Sequence, residues 1–378
     1  QRLLLYRRVN LSQAIILFIK NFFCIACVMF MYWKPINIKN EKIEKILHFA
    51  IYNLQFTIGP VIYMNFKGRD IVSIKEFTRE EIEYLLDKAK EFVEVANGTK
   101  TLETMKGKIL ATAFYEPSTR TRLSFETAML RLGGRVVGFS EPSTTSMVKG
   151  ESLADTIRML SAYSDVIVIR NQFEGAARLA AEFTDKPVIN AGDGAGQHPT
   201  QTLQDLFTIN NEFNKIEGLN IALLGDLKYG RTVHSLAYAL AKFKANLFFV
   251  SPQELKMPSE IVSEVSKLYK EPVISENLKD IISVLDVLYV TRIQKERFPV
   301  IEEYNKVAGA YRIDMETLKN SKKEMIIMHP LPRVTEISSE VDKTHHARYF
   351  QQAANGVPVR MCLLSAVLGS PFPSMVNG

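Results

Sequence analysis

From Phe77 onward, short apolar runs alternate with longer amphipathic stretches. Strands are predicted over 108–114, 135–140, 165–169, 187–190, 220–224, 246–250, 286–290 and 324–328, from runs rich in Val, Ile, Leu and Phe. Between them, apolar residues at helical spacing predict helices over 118–131, 153–162, 175–183, 199–213 and 232–243. Ahead of the first strand, Thr78 and Glu81 have the spacing of a capping box, opening a helix that ends at Asn97-Gly98. Strand-helix alternation without hairpin signals implies right-handed crossovers and parallel sheets. The expected fold class is α/β, with two doubly wound parallel-sheet domains and the site in the cleft between them. The helix opening at Pro199 is placed to carry the chain from one sheet to the next.

Composition agrees with this reading and removes some alternatives. The 378 residues are 47% hydrophobic and 23% charged, as in a globular protein. The formal net charge is +6, with 47 Lys and Arg against 41 Asp and Glu. All of that excess lies in residues 1–66, and the remainder is neutral, so no bulk positive charge recruits nucleic acid. Three cysteines, Cys24, Cys27 and Cys362, cannot build a disulfide framework, and no Cys/His cluster has metal-ligand spacing. Residues 1–65 form an extension whose stretch 11–33 is almost wholly apolar and flanked by Arg7, Arg8 and Lys34. It reads as a targeting leader, with a membrane anchor or a packed helix as the alternatives. A leader would send the chain to an organelle such as a plastid; without one, a cytoplasmic protein is expected.

In doubly wound sheets, ligands bind beyond the carboxyl ends of the strands, often at helix N-termini. Five such places carry polar residues. Ser118, Thr119, Arg120 and Thr121 open a helix after a strand and offer hydroxyls, a guanidinium and free amides to an anion. Arg122 is expected to pair with Glu126 one turn on, in a structural role. Ser146 and Lys149 lie on a Ser/Thr/Gly-rich loop. Arg170 follows an apolar strand. His198 and Gln201 follow a turn with three glycines, where the imidazole can donate to a developing oxyanion and the amide can both donate and accept. In the second half, Arg231 opens a helix, Arg292 and Gln294 follow a strand, and His329-Pro-Leu331-Pro332-Arg333 forms a rigid turn with fixed carbonyls. No nucleophile-base pair, metal set or dinucleotide fingerprint accompanies them. Such a set binds small polyanions and one polarised carbonyl, and catalyses by orientation and electrostatics.

Phe-Tyr-Glu-Pro-Ser-Thr-Arg-Thr-Arg (114–122), Gly-Gln-His-Pro-Thr-Gln (196–201), Gly-Asp-Leu-Lys-Tyr-Gly-Arg-Thr (225–232) and His-Pro-Leu-Pro-Arg (329–333) resemble the aspartate carbamoyltransferase family. The resemblance covers roughly three quarters of the chain, from Phe77 to Leu368. It implies transfer of a carbamoyl group from carbamoyl phosphate to the α-amine of L-aspartate, without a cofactor, in pyrimidine synthesis. Ser118, Thr119, Arg120, Thr121 and Arg170 would hold the phosphate. Thr121, Arg170 and His198 would polarise the carbonyl, while Gln201 and the carbonyls of Leu331 and Pro332 would take the carbamoyl NH2. Arg231 would bind the α-carboxylate of aspartate, and Arg292 with Gln294 the β-carboxylate. Ser146 and Lys149 would reach a neighbouring subunit's site, implying a homotrimer; a regulatory subunit is left undetermined. The implied domains are 66–197 for carbamoyl phosphate and 198–350 for aspartate, with a C-terminal helix over 351–378 packed back on the first. Residues 1–65 have no counterpart in the bacterial catalytic chain, and the Ser146–Lys149 spacing is one residue shorter than in some bacterial members.

Two rival readings remain. An ornithine-using enzyme of the same family would bring a basic acceptor against Arg231 and Arg292, which like charge disfavours. A non-catalytic anion binder on the same fold would be expected to have lost some of these side chains.

Overall fold

The computed structural model describes residues 64–293, 298, 300–307 and 309–376. The apolar stretch 11–33 and Gln294 lie outside the described residues. Among the described residues, no helix is long and apolar enough to cross a membrane.

Two parallel sheets organise the chain. The first holds β1 (Ile109–Phe114), β2 (Arg135–Phe139), β3 (Val166–Asn171) and β4 (Val188–Asp193), in the order β2-β1-β3-β4. The second holds β5 (Asn220–Leu224), β6 (Asn246–Val250), β7 (Val273–Ser275), β8 (Val287–Val290) and β9 (Ile326–Met328), in the order β7-β6-β5-β8-β9. In each sheet the chain winds outward from one strand and then crosses to its other side. The winding direction therefore reverses between β1 and β3, and between β5 and β8. Beyond the carboxyl ends of those strand pairs the flanking loops diverge and leave a crevice.

The strands read as continuous apolar runs because both sheet faces are covered, and successive side chains enter different clusters. Along β1, Leu110 and Phe114 face one apolar cluster, while Ala111 and Ala113 face another. Along β5, Ile221 and Leu223 join the first cluster, and Ala222 and Leu224 pack on the far face of the second sheet. The first cluster continues across both halves through Leu203, Leu206 and Phe207 of the helix Pro199–Phe213.

The helices introduced here are α1 (Arg79–Lys90), α2 (Thr119–Arg131), α3 (Leu153–Tyr163), α4 (Ala176–Ala181), α5 (Pro199–Phe213), α6 (Arg231–Lys242), α7 (Ser259–Leu268), α8 (Tyr349–Ala354) and α9 (Gly356–Leu368). The capping box at Thr78 and Glu81 is formed, but α1 ends at Lys90 and a short separate turn, Val93–Ala96, precedes the Asn97-Gly98 stop. The expected helix over 351–378 is instead broken: α8 and α9 meet at Asn355, and a last turn spans Pro373–Val376. Almost every residue of α9 is buried, and it packs against α1, α2 and α5.

Strand β7, helix α7 and the ends of β3 and β4 escape the periodicity argument. Strand β7 has three residues, is largely exposed, and pairs only with β6 at the sheet edge. Strands β3 and β4 continue past their apolar runs, so Arg170 lies within β3 rather than after it. Arg170 pairs with Phe114 of β1, and a register shift between Ile169 and Asn171 lets Asn171 pair with Asp193 of β4.

Candidate active site

Both crevices open into one cavity of about 400 Å³. From the first sheet it takes Ser118, Thr119, Arg120 and Thr121 after β1, and Arg170 of β3. From the second it takes Arg231 after β5, Arg292 after β8, and Leu331 and Pro332 after β9. His198 and Gln201, where α5 begins, complete the wall between them. Ser146 and Lys149 lie elsewhere, both exposed on a single 3-10 turn closed by Gly150 in the left-handed region. This chain does not bring them to its own cavity.

The first wall has the groups to cradle an anion. Ser118 stands at the N-cap of α2 in extended conformation, and its hydroxyl makes no capping bond. The first-turn amides are thus left to an external acceptor. Arg120 lies at this turn, and desolvation of its guanidinium pulls its pKa below the ordinary arginine value. Arg122 and Glu126 pair at 3.2 Å, as their spacing predicts.

Across the cleft, Glu116 joins the two sheets. Its Oε1 accepts from Arg170 Nη2 at 2.8 Å and from Arg231 Nη2 at 3.2 Å, and its Oε2 accepts from Arg231 Nη1 at 3.2 Å. Burial pushes this carboxyl up, but the charges of Arg170 and Arg231 outweigh it and hold the pKa below the ordinary glutamate value. Arg231 also donates to the Gly194 carbonyl at 2.7 Å, and Arg170 to that of Ala191 at 3.2 Å. The glycine turn therefore serves the arginines. Gly192 has φ +112°, and a Cβ there would lie 3.2 Å from both guanidinium groups. A side chain would have to push them apart.

His198 caps α5 and is 3% exposed, with its amide donating to Ser235 Oγ of α6 at 3.2 Å. Burial first, and then the charges of Arg170, Arg231 and Arg360, drive its pKa well below 6.5. The ring is neutral at physiological pH and keeps one N–H to donate. Gln201 lies one turn further and donates through Nε2 to Asp205 at 2.8 Å. Asp205 is fully buried, and burial pushes its carboxyl up to about 7 against the pull of the hydrogen bonds it accepts.

The Leu331-Pro332 peptide is cis, and Leu331 has φ +56°. Its amide donates to His329 Nδ1 at 2.7 Å, so the ring proton sits on Nε2, 2.8 Å from Glu336 Oε1. Burial pushes Glu336 up, but bonds from His329 and from the Val334 amide prevail and bring it down to about 2. The turn carrying the two carbonyls is thereby held on a hydrogen-bonded frame.

Sequence reasoning missed Glu116, Asp205 and Arg360. Arg360 is a lone cation in the otherwise apolar α9; it lines the cavity and donates to Gln204 Oε1 at 2.8 Å. A charged residue inside such an apolar helix is itself a signal that something polar waits beside it.

Residues 69–211 match the family model described as aspartate/ornithine carbamoyltransferase, carbamoyl-P binding domain, and residues 217–367 match the Asp/Orn binding domain of the same family. The chain is 60% identical to the aspartate carbamoyltransferase catalytic subunit of Thermococcus kodakarensis over 306 residues, spanning 81% of this chain and 99% of that one. It is 58% identical to that of Archaeoglobus fulgidus over 300 residues, 79% of this chain and 99% of the relative. The catalytic subunit of M. jannaschii aspartate transcarbamoylase superposes with a TM-score of 0.74 at 52% identity, covering 80% of this chain and 98% of its own. Aspartate transcarbamoylase from Trypanosoma cruzi, in complex with carbamoyl phosphate and aspartate, superposes with a TM-score of 0.77 at 40% identity, covering 80% and 98%.

Proposed function

The chain belongs to the aspartate/ornithine carbamoyltransferase family, and from that premise we propose how its cavity transfers a carbamoyl group from carbamoyl phosphate to L-aspartate. Ser118, Thr119, Arg120 and Thr121, with the first amides of α2, hold the phosphate together with Arg170. Thr121, Arg170 and the neutral His198 donate to the carbonyl oxygen. Gln201 and the carbonyls of Leu331 and Pro332 accept from the carbamoyl NH2. Arg231 takes the α-carboxylate of aspartate and Arg292, with Gln294, the β-carboxylate. Residues 66–197 are the carbamoyl phosphate half and 198–350 the aspartate half.

In the reaction, the lone pair of the aspartate amine forms a C–N bond to the carbonyl carbon, and the carbonyl electrons move onto oxygen. Donors fixed before the reaction stabilise that oxyanion without reorganising. Its collapse breaks the bond to the phosphate oxygen, and the departing phosphate takes the proton shed by the amine. Products are N-carbamoyl-L-aspartate and phosphate. The substrate carboxylate reaches Arg231 by displacing Glu116, one carboxylate exchanging for another.

Lys149, which contacts both carbamoyl phosphate and aspartate, and Ser146, which contacts carbamoyl phosphate, come from a neighbour. Ser146 and Lys149 are exposed outside their own cavity, while Val137, Val148, Met159, Tyr163 and Phe173 leave apolar surface uncovered. A homotrimer with Lys149 of each chain reaching the adjacent site accounts for both. The extension before residue 66 reads as a targeting leader, which would send the chain to an organelle such as a plastid; if it is not a leader, the enzyme is cytoplasmic.

The observation that carries this reading is the convergence of Arg120, Arg170, Arg231 and Arg292 with a neutral His198 on one cavity. The test is phosphate release from carbamoyl phosphate with either acceptor. Aspartate should support it and ornithine should not. Turnover with ornithine alone would reverse the assignment of Arg231 and Arg292.

A further inference from the structure

Gln201 and Asp205 lie one turn apart on α5 and so share a face. Oδ1 of Asp205 accepts two amide N–H groups, from Gln201 Nε2 at 2.8 Å and from Gln352 Nε2 of α8 at 2.7 Å. Its Oδ2 faces the Tyr289 hydroxyl of β8 at 2.8 Å. All four side chains are buried. An oxygen that only accepts compels each amide to point its nitrogen inward. With its nitrogen committed, Gln201 has only its carbonyl oxygen left to face the cavity it lines. Gln352 likewise turns its oxygen to the backbone N–H of His329, at 2.8 Å. His329 then anchors Leu331 through Nδ1.

We propose that Asp205 is a positioning residue for discrimination at the carbamoyl end: one buried oxygen sets the Gln201 amide and, through Gln352 and His329, the turn bearing the Leu331 and Pro332 carbonyls. This inference rests on the reading that these three acceptors take the carbamoyl NH2. The acceptors come from separate elements, α5 and the turn after β9, and Asp205 is the group to which both are tied. Either protonation state of Oδ2 leaves Oδ1 accepting both amides, with Tyr289 donating to a carboxylate or accepting from a carboxyl.

The test compares two ligands that differ at that end alone: carbamoyl phosphate, and acetyl phosphate, which has a methyl in place of NH2. Titration calorimetry on the assembled full-length protein reads the ratio of their affinities. Asp205→Leu removes the acceptor and should narrow that ratio about tenfold, the effect of one mispaired hydrogen bond, while acetyl phosphate binds as before. Asp205→Ser, whose short hydroxyl cannot reach both amides, serves if the leucine variant does not fold. Asp205→Asn retains Oδ1 and should keep the wild-type ratio. An unchanged ratio in the Leu or Ser variant, equal weakening of both ligands, or a loss in the Asn variant as large as the others would overturn the proposal. Gln201→Leu separates the two levels of argument. If it narrows the ratio and the Asp205 variants do not, the NH2 reading stands and the role of Asp205 falls; if it too leaves the ratio unchanged, the reading falls and takes this inference with it.

Discussion

Two parts of the cavity are built on opposite principles. Around Glu116 the partners are charged, come from both sheets, and resemble what the substrates bring: a carboxylate shared by Arg170 and Arg231. Around Asp205 the partners are amides and a phenol, fully buried, with no group that a substrate would replace. The first arrangement can exchange one anion for another at little net electrostatic cost. Opening the second would leave several buried polar atoms unpaired, which costs far more. The comparison separates the groups proposed to grip the acids from the groups proposed to hold that grip in shape.

Breaking the charged side should give the largest effects. Arg231→Ala should raise the KM for aspartate by about 100-fold or more, as for truncation of a buried hydrogen-bonded charge pair, with carbamoyl phosphate affinity changed little; steady-state kinetics with both substrates varied would show it. An unchanged KM would remove Arg231 from the aspartate site.

His198 stands between the two parts and sharpens the comparison. His198→Ala should lower turnover by on the order of 100-fold, as for loss of one oxyanion donor. Because burial and then Arg170 and Arg231 hold its pKa well below 6.5, the ring stays neutral through that pH. The turnover profile should therefore carry no acid limb near 6.5 owing to His198. A limb there that disappears in His198→Gln would mean that the ring titrates and that the account of its environment is wrong.

The smallest effect is on stability. Glu116 has a lowered pKa in the folded chain, so its contribution is complete above the ordinary glutamate range and is lost as pH falls through the lowered value. Glu116→Gln should lower the melting temperature by about 2 °C at pH 7, and the gap to wild type should close as pH falls below the ordinary glutamate range and through the lowered value. A gap independent of pH would mean that packing, not charge, sets the effect.

How much of this was legible beforehand depends on the range of the interaction. The capping box of α1, the pairing of Arg122 with Glu126 and the start of α5 at Pro199 are local and follow from neighbouring residues. So do the strands whose apolar runs are long enough to show two covered faces. The extension of β3 through Arg170 and Asn171 is not local, since Arg170 stays in that strand by pairing with Phe114 of β1 and Asn171 by pairing with Asp193 of β4. The same holds at the site. The arginines announce themselves at strand ends, whereas Glu116 and Asp205 take their meaning from partners 54 to 147 residues away. The edge strand β7 lacks the burial that would have produced a pattern.

The central claim is that cations from separate sheets grip two acids in a single gap. It is tested most directly by titrating the assembled protein with N-(phosphonacetyl)-L-aspartic acid, the ligand present in one Trypanosoma cruzi aspartate transcarbamoylase structure, which joins a phosphonate and two carboxylates in one molecule. The account predicts one molecule bound per chain, with affinity reduced by Arg120→Ala on the first sheet and, separately, by Arg231→Ala on the second. Binding that ignores either substitution would contradict it.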